Sequence, residues 1–226
     1  MITRFGMAPR KAGLQVAEFQ DHWRTTHAQL AAGIPGFRRY WQNHALLQEG
    51  ENLLPWPGFD VCSQIEADSI ADFDRAFSSP HYLEAVRADE RRFIDTTGGG
   101  YMLCERAAAT GALFDAAPAG QVLEPVRLLT FLRLAPMASS AALGELLCAQ
   151  QLAPSATGRE VFLAFHGGTL GGQRYSIFEA LEILWFADAG AALRHVVSAP
   201  ARAQRLELAA LVRGTERLVA RVHTVV

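Results

Sequence analysis

Apolar positions recur along this chain with two periods, and the order in which the periods alternate predicts its elements. Residues 2–7 read as a strand. Residues 14–32 read as a helix, with Phe19, Trp23, Thr26 and Leu30 at helical spacing. Strands are expected over 37–47 and 59–67. A helix is expected over 70–78, continuing through Arg92, and a strand over 101–106. The order then returns. Residues 126–134 read as a strand, and 141–152 as a helix with Ser139 or Ser140 as its cap. Residues 161–166 and 175–187 read as strands, 191–218 as a helix and 218–225 as a last strand.

The resulting order is β-α-β-β-α-β, twice, which is the split βαβ or ferredoxin-like unit. Sparse identities support a duplication. Phe73 to Pro80 lies over Leu193 to Pro200 without a gap, and Ala67-Asp68 over Ala187-Asp188. With a slightly different offset, Ala8-Pro9 lies over Ala135-Pro136. One such unit leaves a sheet face bare. Two units packed sheet to sheet cover both faces, and the run Leu181-Glu-Ile-Leu-Trp-Phe186 suits a strand buried on both sides. The fold expected is therefore α+β, with two ferredoxin-like repeats over residues 1–107 and 122–226. Residues 108–121 form the linker, carrying Gly111, Pro118 and Gly120. Residues 48–58, with Pro55, Trp56 and Pro57, read as a long hairpin loop and a candidate flap.

Composition narrows the function classes. The chain has 226 residues, half of them hydrophobic, and a formal net charge of −2, which gives no basic surface for nucleic acid and no acidic tail. Cys62, Cys104 and Cys148 are scattered, so reduced thiols are expected rather than a disulfide framework. No signal-like N-terminus and no run of about 20 apolar residues is present. These features lead to the expectation of a soluble, cytoplasmic protein without a membrane partner.

Several segments of the first half resemble the EthD family of the dimeric α+β barrel superfamily. Glu18-Phe19-Gln-Asp-His-Trp23-Arg-Thr-Thr-His27-Ala28 is similar to that family's E-F-x-x-x-W-x-x-x-H-A helix. Ile34-Pro-Gly-Phe-Arg-Arg-Tyr40 is similar to its turn into the second strand. Asp72-Phe73 to Ser79-Pro80 and Arg92-Phe-Ile-Asp95 resemble its second helix and F-I-D segment. The second half departs from the motif, with Gln150 where Trp23 falls and Pro154 where His27 falls. The resemblance implies a single-chain dimeric α+β barrel, a fused pseudo-dimer with one polar helix. It implies a place among small proteins of degradation and polyketide pathways, some implicated in dehydration, decarboxylation or cyclisation. Further pairing of chains through exposed edges stays open.

Without a metal or cofactor, and neither is expected, chemistry would rest on acid–base groups in a dry pocket. His27 lies one turn beyond Trp23, near the helix C-terminus; it is either an acid–base group or a cap of the last carbonyls. Tyr40 and His44 share one strand face with Arg38 and Gln42, while Trp41 and Asn43 share the other. His81 follows Ser79-Pro80, where the resemblance implies an acid or base and a surface helix start is the plainer account. The catalytic candidates are thus His27, His44, His81 and Tyr40, and the substrate-lining candidates Trp23, Trp41, Asn43 and Phe93. His22 and His27 are five apart, off a common α-helical face, which argues against an i, i+4 metal pair. The glycine pairs and triplet at 98–100, 167–168 and 171–172 lack a phosphate-loop context and read as turns. Two functions remain open beside the plainer reading of a structural pseudo-dimer with a filled core. One is a cofactor-free lyase, isomerase or cyclase acting on a small aromatic or polyketide-like carbonyl compound. The other is a non-catalytic protein that binds the same hydrophobic or aromatic molecule.

Overall fold

In the computed structural model, eight strands close into one antiparallel barrel. The structure describes residues 1–49, 51–54, 60–113, 119–120, 122–165, 169–170, 173–174 and 178–226. Trp56 and part of the expected flap, part of the linker and Tyr175 lie outside the described residues.

Strand β1 is Ile2–Ala8. Helix α1 comprises Val16–His22, a π-helical segment Trp23–His27, and Ala28–Ala31. Strands β2 (Arg39–Ala45) and β3 (Val61–Ala67) follow, then helix α2 (Ile70–Phe77). Helix α3 comprises a π-helical segment Tyr82–Val86 and Arg87–Phe93, and leads to strand β4 (Gly100–Gly111). The remainder runs β5 (Val122–Leu134), α4 (Ser140–Ala149), β6 (Gly158–Ala164), β7 (Ala180–Phe186), α5 (Ala189–Val196), α6 (Ala199–Leu208) and β8 (Val212–Thr224). Around the barrel the order is β1-β3-β2-β8-β5-β7-β6-β4. Residues up to 111 use their strands in the order fourth, first, third, second, and residues from 122 onward do the same. The seams are β2 against β8, with Ala45 opposite Ala220, and β4 against β6, with Cys104 opposite Ala164.

The barrel interior holds an apolar cluster that includes Phe5, Met7, Phe131, Phe162, Leu181 and Ile183, together with a polar group around Arg127. The helices cover the outside. Every residue of β3 and of β7 is buried, as strands packed on both faces require. No helix among the described residues is long and apolar enough to cross a membrane.

The expected helix over 191–218 is two short helices and the start of β8 instead. Ser198 caps the second helix by accepting from Ala201 N at 3.2 Å, with Pro200 in its first turn. Beyond Leu208 the chain pairs with β5 from Val212 to Arg221. This long ladder outweighs the leucine spacing that imitated a helix. β4 likewise continues to Gly111, so the start of the expected linker is strand.

Several polar side chains inside these layers have partners. Arg127, fully buried inside the barrel, lies 4.4 Å from the Trp41 ring centroid and 4.0 Å from that of Trp185. It donates to Asn43 Oδ1 at 3.1 Å and Gln64 Oε1 at 2.7 Å. Under α4, Arg159 donates to Glu182 Oε1 at 2.7 Å and to Leu147 O at 2.7 Å. Removing one partner of a buried pair leaves a charge without compensation. Glu182→Leu is therefore expected to lower the unfolding free energy by about 3–5 kcal/mol in urea titrations. The double variant Arg159→Met/Glu182→Leu should recover part of that loss. A loss below about 1 kcal/mol in Glu182→Leu would remove the pair from this account.

Candidate functional site

Helix α1 enters with Glu18 Oε2 accepting from Gln15 N at 3.2 Å. Phe19 and Trp23 then point at the sheet, both buried. At Trp23 the helix widens to the i→i+5 bonding of a π segment. That widening decides where the histidines go. Residues five apart diverge on an α-helix, but they fall nearly in line across a π turn. His22 and His27 therefore converge on one carboxylate. His27 Nδ1 lies 3.0 Å from Asp89 Oδ2, and His22 Nε2 lies 3.0 Å from Asp89 Oδ1. The separation that excludes an α-helical pair does not apply once the helix widens.

Asp89 is buried on α3 and ties the two helices together. Burial acts to raise its pKa, but hydrogen bonds and charge from His27 and His22 outweigh that and hold the carboxyl below its ordinary range. An ionised Asp89 accepts the Nδ1–H of His27, so the neutral imidazole carries its lone pair on Nε2. That nitrogen makes no hydrogen bond among the described residues. Phe93 packs 5.0 Å from the His27 ring and 4.8 Å from the His22 ring, and shields the pair from the far side.

His27 lines a cavity of about 70 Å³ between α1, α3 and the outer face of the sheet, together with Arg4, Trp23, Tyr40, Tyr82 and Glu90. An adjoining cleft of about 180 Å³ shares Arg4, Ser63, Tyr82 and Glu90 and reaches Gly99 and Tyr101. Burial pushes the Glu90 carboxyl up. Its Oε2 accepts from the Tyr82 hydroxyl at 3.2 Å. Burial also raises the Tyr40 phenol, to about 12, so it stays a donor. Tyr82 begins the second π segment and His27 ends the first; such segments are frequent at functional sites.

The remaining candidates lie elsewhere. His44 stacks on Trp23 with ring centroids 4.6 Å apart, behind the cavity wall. Its Nε2 bonds Gln42 Oε1 at 2.8 Å, and Gln42 in turn donates to Trp23 O at 2.8 Å. His44 Nδ1 is buried without a partner among the described residues. Burial, with His223 and Arg24 nearby, lowers the His44 pKa to about 3. His81 donates from Nε2 to Leu30 O at 2.7 Å, capping the end of α1. A Cβ on Gly33 would meet that nitrogen at 2.7 Å, so the turn requires glycine there. Trp41 and Asn43 face the barrel interior with Arg127.

Asp89, Glu90, Tyr82 and Arg4 were not among the candidates from sequence. One signal was present: Asp89 falls between Val86 and Phe93 on the buried stripe of α3, where an acid needs a partner. Among the described residues, no group of three or more His, Cys, Asp or Glu side chains is arranged to hold a metal ion.

Residues 11–97 match the family described as the EthD domain. A dehydratase, UstZ, of Ustilaginoidea virens is 26% identical over 105 residues, which cover 42% of this chain and 75% of that protein. The crystal structure of an anthrone oxidase-like protein superposes with a TM-score of 0.67 at 13% identity, over 99% of this chain and 92% of that one. A proposed monooxygenase from Fusobacterium nucleatum gives 0.59 at 8% identity, over 100% of this chain and 92% of the other. At such identities the two structures share the barrel fold.

The His44 pKa has a thermodynamic consequence. An unfolded chain protonates this histidine near the ordinary 6.5, and the folded chain only near 3, so the unfolded state binds more protons between those values. The stability that neutral His44 contributes is complete above 6.5 and is lost as pH falls toward 3. Chemical denaturation at pH 7 and pH 5 should show a loss about 2 kcal/mol larger for the wild type than for His44→Gln. Equal losses would mean that His44 is solvated.

Proposed function

Taking residues 11–97 as an EthD domain, we propose that this chain is an acid–base enzyme that eliminates water from a small carbonyl compound held in the cavity of its first half. The carrying observation is the buried Asp89–His27 pair, which leaves Nε2 of His27 free on the cavity wall. In this reading Nε2 removes a proton from the carbon next to the substrate carbonyl. The C–H electron pair passes into an enolate, whose oxygen the Tyr40 phenol stabilises. As the enolate collapses, its electrons form the new carbon–carbon double bond and the hydroxyl on the next carbon departs. Glu90 protonates that hydroxyl, and water leaves. Transfer of the proton from His27 to Glu90, directly or through solvent, restores the site.

Adjacent acids with opposite tendencies suit these roles: Asp89 is held ionised to orient the base, and Glu90 is pushed toward its protonated form. The dehydratase relative supports elimination over the other lyase, isomerase or cyclase reactions. The modest cavity and its aromatic wall suit a small aromatic or polyketide-like molecule. Trp23 lines the site and Phe93 shields the histidines. His44 packs behind Trp23 and His81 caps the end of α1, and neither lines the cavity.

The same strand order in both halves supports reading them as tandem ferredoxin-like repeats, 1–107 and 122–226, joined by residues 108–121. Gln150 and Pro154 stand where this alignment puts Trp23 and His27, which supports one site per chain.

The test is a panel of phenolic and β-hydroxycarbonyl compounds, followed by the absorbance of the conjugated product. His27→Ala is expected to lower kcat/KM by about 100-fold or more. Asp89→Asn should lower kcat by a comparable factor, because the amide favours the wrong tautomer. His81→Ala should stay near the wild type in kcat. Turnover that survives unchanged in both His27→Ala and Asp89→Asn would sink the assignment, as would a panel with no product at all.

A further inference from the structure

Arg4 is the feature of this cavity that the elimination chemistry does not use. It stands on β1 on the helix side of the sheet and lines both adjoining clefts. Its Nε is buried with no hydrogen bond. Among the described residues its guanidinium has no hydrogen bond and no ion pair at all. Its neighbours are aromatic: Cζ lies 4.9 Å from the ring centroids of Phe77 and of Tyr101. Rings hold a guanidinium by its charge and offer no acceptor to the N–H groups in its plane. The acid acting on it is Glu90, with Tyr82, Tyr101 and Tyr40 around it, and Glu90 is itself pushed toward the neutral form by burial. Space for the guanidinium is also provided: a Cβ on Gly6 would lie 2.6 Å from both Arg4 Nη1 and Ser63 Oγ.

Arg4 is half-buried, with its Nε out of reach of water, and a cation placed so without a protein acceptor gains when a ligand in the cleft supplies the missing partner. Other arginines packed into the layers have acceptors: Arg159 has Glu182, and Arg127 has Asn43 and Gln64 on its Nη1 and the Glu160 carboxylate 3.9 Å from its Nη2, although its Nε has no hydrogen bond among the described residues. We infer that Arg4 is the anchor for a carboxylate on the substrate, so that the site takes a small planar carboxylic acid with its ring between Trp23 and Tyr82 and its carboxylate on the guanidinium fork. The planar fork of arginine matches two carboxylate oxygens, which a neutral amide or ester cannot reproduce. Gly6 is the positioning residue that makes room for the fork. This inference rests on the same cavity as the proposed elimination, but binding requires no turnover, so the two fail separately.

The test is equilibrium binding of benzoate and of benzamide, measured by calorimetry or by saturation-transfer NMR. Benzoate should bind at least tenfold more tightly than benzamide. Arg4→Gln should weaken benzoate by about tenfold or more while moving benzamide less than twofold, and Arg4→Lys should fall between. Gly6→Ala should weaken benzoate selectively. If Arg4→Gln does not fold, the wild type decides: benzoate should raise its Tm and benzamide should not. Equal affinity for the acid and the amide would overturn the inference. So would undiminished benzoate binding in Arg4→Gln, or no benzoate binding to the wild type.

Discussion

A sheet covered on both faces accepts a polar side chain only where a partner is waiting for it. That constraint organises this molecule. The closed barrel buries its strands between a largely apolar interior and a layer of helices, so an arginine, glutamate or histidine on a strand depends on partners within those layers. Inside, Arg127 is answered by amides and by two indole faces. Outside, on the second half, Arg159 is answered by Glu182 and by the last turn of α4. On the outer face of the first half, Gln42 joins His44 to the backbone of Trp23. Against this background an unanswered group is informative, and Arg4 is such a group on the wall of the first-half cavity.

The helices answer the sheet by departing from ideal geometry. Both α1 and α3 carry a π segment, and the two departures bring their polar residues to the same place. A regular α-helix would send His22 and His27 to different faces, and a buried Asp89 could then reach only one of them. With the wider turn, one carboxylate accepts from both rings, links the helices and selects the tautomer of His27. Structural and chemical demands thus fall on one bond. That economy also explains why Phe93 sits against both imidazoles: a contact open to water would hold neither the tautomer nor the helix spacing.

Much of the architecture was legible because burial on both faces writes long apolar runs, and Leu181 to Phe186 is such a run. The strand periods and the turn at Pro35-Gly36 needed no tertiary information. Gly36 indeed has a φ of 89°, which glycine adopts readily. The failures have physical causes. Residues 209–218 carry helical spacing, yet their pairing with β5 is a tertiary gain that no local window contains. His27, Tyr40 and Trp23 were found because they stand in a recognisable helix and strand. Asp89 and Glu90 were not, because a charged pair in an Arg- and Glu-rich helix looks like a solvated face. The sign that one of them is buried lies only in its spacing from Val86 and Phe93. The π segments were illegible for a deeper reason: an inserted residue shifts every later position by one, and the sequence carries no mark of it.

Adjacent positions on α3 illustrate how little separates scaffold from chemistry here. Asp89 and Glu90 share a helix and a layer, yet they are driven in opposite directions. Burial acts to raise both. For Asp89 two imidazole N–H groups overcome it, and the carboxyl is held ionised. For Glu90 the charge of His27, the Tyr82 hydroxyl at 3.2 Å and the charges of Arg4 and Arg87 act against burial, and burial prevails. Asp89 has direct hydrogen bonds from two imidazoles, the second of which the π turn in α1 delivers. A one-residue change in the register of one helix therefore decides which neighbouring acid orients a base and which can give up a proton.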